Sequence, residues 1–209
     1  MKRIITIARQ YGSMGSEIGQ KLSELTGIPV YDREALVSIA QEHGIPRETF
    51  EKADEQATSS FLYSIAMSNY SGSVIHFGTH DDILTDRVFN IQSAEIKKIA
   101  EAGDCLIIGR CADDVLAGVE GLLRVYIYAS IEKRVENYKN RFPGSDDNSA
   151  RKAIQKADKK RASYYNFYTG KNWGDPHNFD LMVDSGRFGV EGSARLIASS
   201  LEIIRYNTF

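Results

Sequence analysis

The sequence predicts an α/β fold: a parallel sheet with helices on both faces. Two observations predict it. Near-continuous apolar runs at Ile4–Ala8, Cys105–Ile108 and Leu122–Tyr128 read as strands buried on both sides. Between them lie segments whose apolar residues recur at helical spacing, and alternation of the two patterns along a chain gives a parallel sheet.

The elements follow in order. Ile4–Ala8 is a β-branched strand closed by the turn Gly12-Ser13-Met14-Gly15. A helix runs from Ser16 to Thr26 on Ile18, Leu22 and Leu25, with Gly27 as its stop. Ile28–Tyr31 is a second strand ending at Asp32, and Glu34–Glu42 is a helix closed by Gly44 and Pro46. Residues 47–90 mix helix formers with Ser, Asn and Gly, and read as a mostly helical insertion with a loop near Asn69–Gly78. Helices follow at Ile91–Ala102, Ile131–Arg141, Arg151–Tyr165 and Gly192–Tyr206, with a last strand at Phe179–Val183. The loops are Phe142–Asn148 and the Gly/Trp/Pro-rich stretch Thr169–Asn178.

Composition narrows the function classes. The chain has 209 residues, suited to a single domain with an inserted part. Its net charge of -2 supplies no bulk field for nucleic acid or an anionic membrane. Cys105 and Cys111 read as reduced thiols, the run after Met1 stops too soon for a signal peptide, and no stretch is long enough to span a bilayer. The expectation is a cytoplasmic protein with small-molecule substrates and no nucleic-acid or membrane partner, a homodimer being left open.

In open parallel sheets ligands bind beyond the carboxyl ends of the strands. The 9–16 turn, Asp32, Gly109-Arg110 and Asp184 fall there. The turn joins a strand to a helix, and a helix N-terminus presents free N–H groups to phosphate. It does not fit G-x-x-x-x-G-K-[ST], because the lysine is absent. Ser13 or Ser16 is a source of a metal-side hydroxyl, and Arg9 of a replacement cation; an ordinary tight turn is the alternative. Arg110 suits bidentate phosphate binding but is equally a surface arginine. Asp113 and Asp114 read as water-mediated Mg²⁺ ligands or, for at least one of them, a helix cap. In the basic helix, Asp158 and Arg161 share a face and suit a closing lid, whereas most of its charges are simply solvated. The aromatics after it, Tyr164, Tyr165, Phe167, Tyr168 and Trp173, read mainly as packing. His76 and His80, with Asp81 and Asp82, make no convincing metal set.

Taken together, Ile4–Ile18, Ile28–Asp32, Ile107–Asp113, Val125–Ala129, Tyr164-Tyr165, Tyr168–Pro176 and Phe179–Leu181 resemble, in order and spacing, the cytidylate-kinase-like branch of the P-loop nucleoside monophosphate kinases. The resemblance implies a three-layer P-loop kinase core with a parallel sheet, a helical substrate-binding insertion at about 45–90 and a lid at about 142–178. It implies ATP as donor, Mg²⁺ as cofactor and a nucleoside monophosphate, CMP or dCMP, as acceptor. Gly12, Ser13, Met14, Gly15 and Ser16 fall on the phosphate loop; Arg110, Asp158 and Arg161 take catalytic places, and Arg9 is the candidate to stand in for the lysine this loop lacks. Asp32, Arg33, Arg110 and Asp184 take acceptor-side places, and Ser16, Asp32 and Asp113 metal-side ones. Cys111 stands where that family's motif has an aspartate, and Ser38 where it has an arginine. Rival expectations are a nucleotide-binding regulator without transferase activity and a kinase of a non-nucleotide small molecule.

Overall fold

The computed structural model describes residues 2–42, 44, 46–48 and 80–206. Five strands, β1 (Ile4–Arg9), β2 (Val30–Tyr31), β3 (Cys105–Ile108), β4 (Leu122–Tyr128) and β5 (Leu181–Asp184), form one sheet in the order β2-β3-β1-β4-β5. Every pairing is parallel, and β1 at the centre pairs with β3 and β4 along most of its length.

Successive side chains of a strand point to opposite faces, so each strand feeds two cores. On one face Ile4, Cys105 and Ile107 meet α2 (Arg33–Glu42), α3 (His80–Ala102) and the short α4 (Ala112–Val115). On the other, Ile5, Ile7, Leu106, Ile108, Val125 and Ile127 meet α1 (Gly15–Thr26) and α7 (Ser185–Tyr206). This is the three-layer α/β arrangement expected. The remaining helices, α5 (Ile131–Arg141) and α6 (Asp147–Thr169), pack on each other at the carboxyl edge through Val135, Ala150 and Ile154, with Tyr11 of the first turn against them.

Several boundaries differ from the sequence expectation, each for a local reason. α6 begins at Asp147, because Asp146 caps it by accepting from the N–H groups of Asn148 (2.8 Å) and Ser149 (2.9 Å). It runs on to Thr169 and stops at Gly170, which is left-handed. β5 begins at Leu181 because Asp180 is held by Arg124, through its backbone N–H (2.9 Å) and its Nη2 (2.6 Å). α7 begins at Ser185 with a non-helical residue at Gly189. α3 begins at His80, earlier than Ile91. The expected loop at Asn69–Gly78 and His76 lie outside the described residues, as does much of the expected insertion at 45–90. No described helix is long and apolar enough to cross a membrane.

Candidate active site

β1 ends at Arg9, and the chain turns through Gln10–Met14 into α1. Gly12 has φ +80°, and a Cβ there would lie 3.0 Å from the Arg134 carbonyl oxygen, so the loop sits directly on α5. Met14 caps α1 in the left-handed region without offering a side-chain acceptor. The first helical bond runs from Ile18 N–H to Met14 O, so the N–H groups of Gly15, Ser16 and Glu17 precede the ladder. Donors left at a helix N-terminus, with the positive end of its dipole, suit an anion.

A cavity of about 370 Å³ opens in front of this helix end, lined by Arg9, Gly12, Met14, Gly15 and Ser16 of the turn, by Tyr138 and Arg141 of α5, and by Arg161 of α6. Ser13 is turned away: it is fully buried, and its hydroxyl donates to Gln10 O at 2.8 Å. Ser16 is exposed on the first turn and faces the cavity.

A second, smaller cavity of about 30 Å³ lies beyond the ends of β1 and β3, lined by Arg9, Gly109, Arg110, Asp113, Arg161, Tyr164, Tyr165 and Trp173 among others. Arg110 is only 5% exposed and left-handed, as is Cys111 after it. Burial pushes the Arg110 guanidinium down to about 10; Tyr164 offsets this in part, while Arg33 and Arg161 add to it. It therefore keeps its charge at neutral pH. Left-handed residues without glycine's freedom cost energy and concentrate at binding sites.

Asp158 and Arg161, expected on a lid, both meet the turn after β1. Asp158 accepts from the Tyr11 backbone N–H at 2.8 Å and pairs with Arg134 Nη1. Arg134 Nη1 also donates to Tyr11 O at 3.4 Å, and Asn137 Nδ2 to Gly12 O at 2.8 Å. Arg161 Nη1 donates to Arg9 O at 3.1 Å, with its guanidinium over the Tyr11 ring. α5 and α6 thus both hold the backbone of the Arg9–Gly12 turn. Arg134, Asn137 and Tyr138 were missed as site residues. For Arg134 the signal is a charge on an apolar stripe, because Ile131, Arg134, Val135 and Tyr138 share one helical face.

Other expected residues serve the scaffold as the structure stands. Asp32 Oδ1 accepts from Glu34 N–H (3.0 Å) and Ala35 N–H (3.2 Å), which caps α2, and Arg33 pairs with Glu34. Asp184 Oδ1 accepts from Gly186 N–H at 2.9 Å, turning β5 into α7. Neither Asp113 nor Asp114 is the cap of α4: Cys111 is, and both acids lie in its first turn. Asp114 pairs with Lys171, and Asp113 accepts from Tyr165 Oη at 2.7 Å. Of these two cavities, Ser16 lines the larger, Asp113 the smaller, and Asp32 neither. Among the described residues no three His, Cys, Asp or Glu side chains form a metal cage. The aromatics after Arg161 pack: Tyr168 stacks on Phe89 with centroids 3.9 Å apart, and Trp173 meets Tyr126 edge-on.

Burial raises the Asp113 pKa, opposed by the Tyr165 hydrogen bond. A carboxylate whose folded pKa is raised destabilises the fold as pH climbs from its unfolded pKa through the folded one. Asp113→Asn keeps an acceptor for Tyr165 and removes the charge. Its thermal midpoint at pH 7 is expected to equal or exceed the parent's, with the difference shrinking in acid. A lower midpoint at pH 7 would show that the carboxylate has a stabilising partner.

Comparison with known proteins bears on the family and the fold. A cytidylate kinase from Methanopyrus kandleri is 25% identical over 208 residues, covering 95% of this chain and 93% of that protein. An uncharacterized protein from Eubacterium ventriosum shares the fold at 24% identity, with a TM-score of 0.70 over 96% of this chain and 99% of that one. A shikimate kinase from Bacteroides thetaiotaomicron shares it at 13% identity, with a TM-score of 0.56 over 97% and 99% of the two chains. Residues 4–187 match the cytidylate kinase-like family, and the chain belongs to it.

Proposed function

We propose that this protein transfers a phosphoryl group from ATP to a nucleoside monophosphate, CMP or dCMP first among them. The observation that carries this reading is the shared wall of the two cavities. Arg9 and Arg161 line both, so a donor bound at the α1 N-terminus and an acceptor held by Arg110 would meet between them. Family membership and the cytidylate kinase relative support the acceptor class.

The residues present suit ATP and Mg²⁺. The larger cavity is of ligand size, has free backbone donors at one end, and is lined by Arg9, Arg141 and Arg161. When bound, Mg²⁺ would supply charge neutralisation for the donor phosphates, and Ser16 and Glu17, which line the cavity, would be protein oxygens to hold it, since such ions keep waters and phosphate oxygens as most of their ligands. Gly15, Ser16 and Glu17 bind the donor phosphates by backbone N–H groups. Arg110 orients the acceptor, and the smaller cavity suits an anionic group rather than a whole nucleoside. Arg161, fixed on the loop, excludes water and offsets charge on the moving group. An acceptor phosphate oxygen is already anionic, so no general base is needed.

The missing lysine favours a second reading, a regulator that binds nucleotide without transferring phosphate. ADP release from Mg-ATP across nucleoside monophosphates, with shikimate included, separates the readings. Turnover dependent on CMP or dCMP is expected. ATP bound by calorimetry with no turnover on any acceptor would overturn the transferase reading in favour of the regulator.

A further inference from the structure

We propose that Arg9, from the end of β1, is the cation that contacts the transferred phosphoryl group, in the role that the lysine at the start of the helix plays in the G-x-x-x-x-G-K-[ST] pattern. The assignment rests on the transferase reading and names a residue that reading requires.

The course of the side chain carries the inference. A Cβ on Gly15 would lie 2.7 Å from Arg9 Cβ and 2.9 Å from Arg9 Cγ. At the other end, Arg9 Nη1 fills the space a Cβ on Gly109 would need. The side chain therefore leaves β1, passes under the first residue of α1 and lays its guanidinium across the end of β3. Two glycines on two separate elements leave it room. Gly15 opens the helix side and Gly109 the strand side, and any side chain at either position would push Arg9 from its course.

That course ends where transfer would occur. The smaller cavity brings Arg9, Arg110 and Arg161 together around about 30 Å³. Among the described residues that line it, the one acid, Asp113, accepts from Tyr165. Cations brought together in a desolvated site favour an anion between them. A guanidinium presents several donors in one plane and can engage donor and acceptor oxygens together, which a single ammonium does less well. It also sits on a strand rather than a helix, so its base is fixed by the sheet.

The test uses the full chain. Arg9→Met keeps the aliphatic stem beside Gly15 and removes the charge. By calorimetry the parent is expected to bind ATP more tightly than ADP, and Arg9→Met to lose that preference. Turnover is expected to fall by about 10²–10³-fold, as when one preorganised donor at a developing charge is removed. In Arg9→Ala, added guanidinium is expected to restore part of the turnover, an effect that lost packing alone would not give. Gly109→Ala, which displaces the guanidinium, should reproduce Arg9→Met if it folds; the Arg9 variants decide the matter if it does not. If Arg9→Met keeps both turnover and the preference for ATP, the assignment is overturned and the transferase reading stands. If the parent binds ATP but transfers to nothing, the transferase reading falls, and the ATP-over-ADP ratio of Arg9→Met still decides Arg9. Absence of ATP binding in the parent overturns both.

Discussion

Arg110→Met is expected to stop phosphoryl transfer while leaving the protein at least as stable as its parent. The guanidinium is buried: burial lowers its pKa to about 10, Tyr164 and Cys111 act against this, and Arg33 and Arg161 add to it. A buried cation under such repulsion costs folding energy, and methionine retains much of its apolar volume without the charge. Arg110 also holds the left-handed region at φ 63°, a strain that substitution leaves in place. The functional loss should be large, because positioning and charge neutralisation are nearly all the protein contributes to phosphoryl transfer. A fall in kcat/KM of about 10²-fold or more is expected. The measurements are acceptor-dependent ADP release and the thermal midpoint. Turnover within a few-fold of the parent would remove Arg110 from the acceptor site. A large drop in midpoint would show that its charge is satisfied within the protein.

Asp158→Ala is expected to act in the opposite sense, with stability falling first. Asp158 and Arg134 are 17% and 10% exposed, and the carboxylate also holds the Tyr11 N–H. Removing one partner of a buried pair leaves the other charge uncompensated, at a cost of about 3–5 kcal/mol. For a chain of this size that lowers the thermal midpoint by roughly 6–20 °C. The double variant Asp158→Ala/Arg134→Met should recover part of the loss, since no orphaned charge remains. It should still impair ATP binding, because the loop backbone at Tyr11 has lost its contacts from both Arg134 of α5 and Asp158 of α6. If the double variant is no more stable than Asp158→Ala, the pair is not what ties α6 to the loop.

The contrast separates two kinds of site residue. Arg110 and Arg9 line the smaller cavity, where the proposed transfer would draw on their charge. Asp158 and Arg134 meet each other and the loop backbone, and hold the ligand-facing groups in register. Arg161 does both: it donates to Arg9 O and lines both cavities.

Much of this was legible in the sequence because it depends on local pattern. Buried parallel strands are apolar throughout, so β1, β3 and β4 stand out as runs, and the helices between them carry period-3.6 stripes. Those signals require a layered parallel sheet, and the rule that ligands gather at its carboxyl edge points to the Arg9–Ser16 turn and to Gly109-Arg110. The absence of lysine from that turn is likewise a fact of sequence. So is the resemblance to the cytidylate-kinase-like kinases, which rests on the order of motifs none of which is specific alone.

Tertiary structure decided how those residues are used. Aspartates look alike in a sequence, yet Asp158 braces a loop, Asp32 and Asp146 cap helices, and Asp113 accepts from a tyrosine, because each carboxylate takes the donors that packing brings to it. Arg134 could be seen only as an odd charge on an apolar stripe, since its partner lies 24 residues away on another helix. Ser13 and Ser16 are three residues apart in one turn, but the left-handed residue between them turns one hydroxyl inward and leaves the other facing the cavity. The course of Arg9 needed Gly15 and Gly109 to meet across two elements nearly a hundred residues apart. Periodicity records which face of an element is buried; which side chains then converge is fixed by strand order and crossover, which no local pattern encodes.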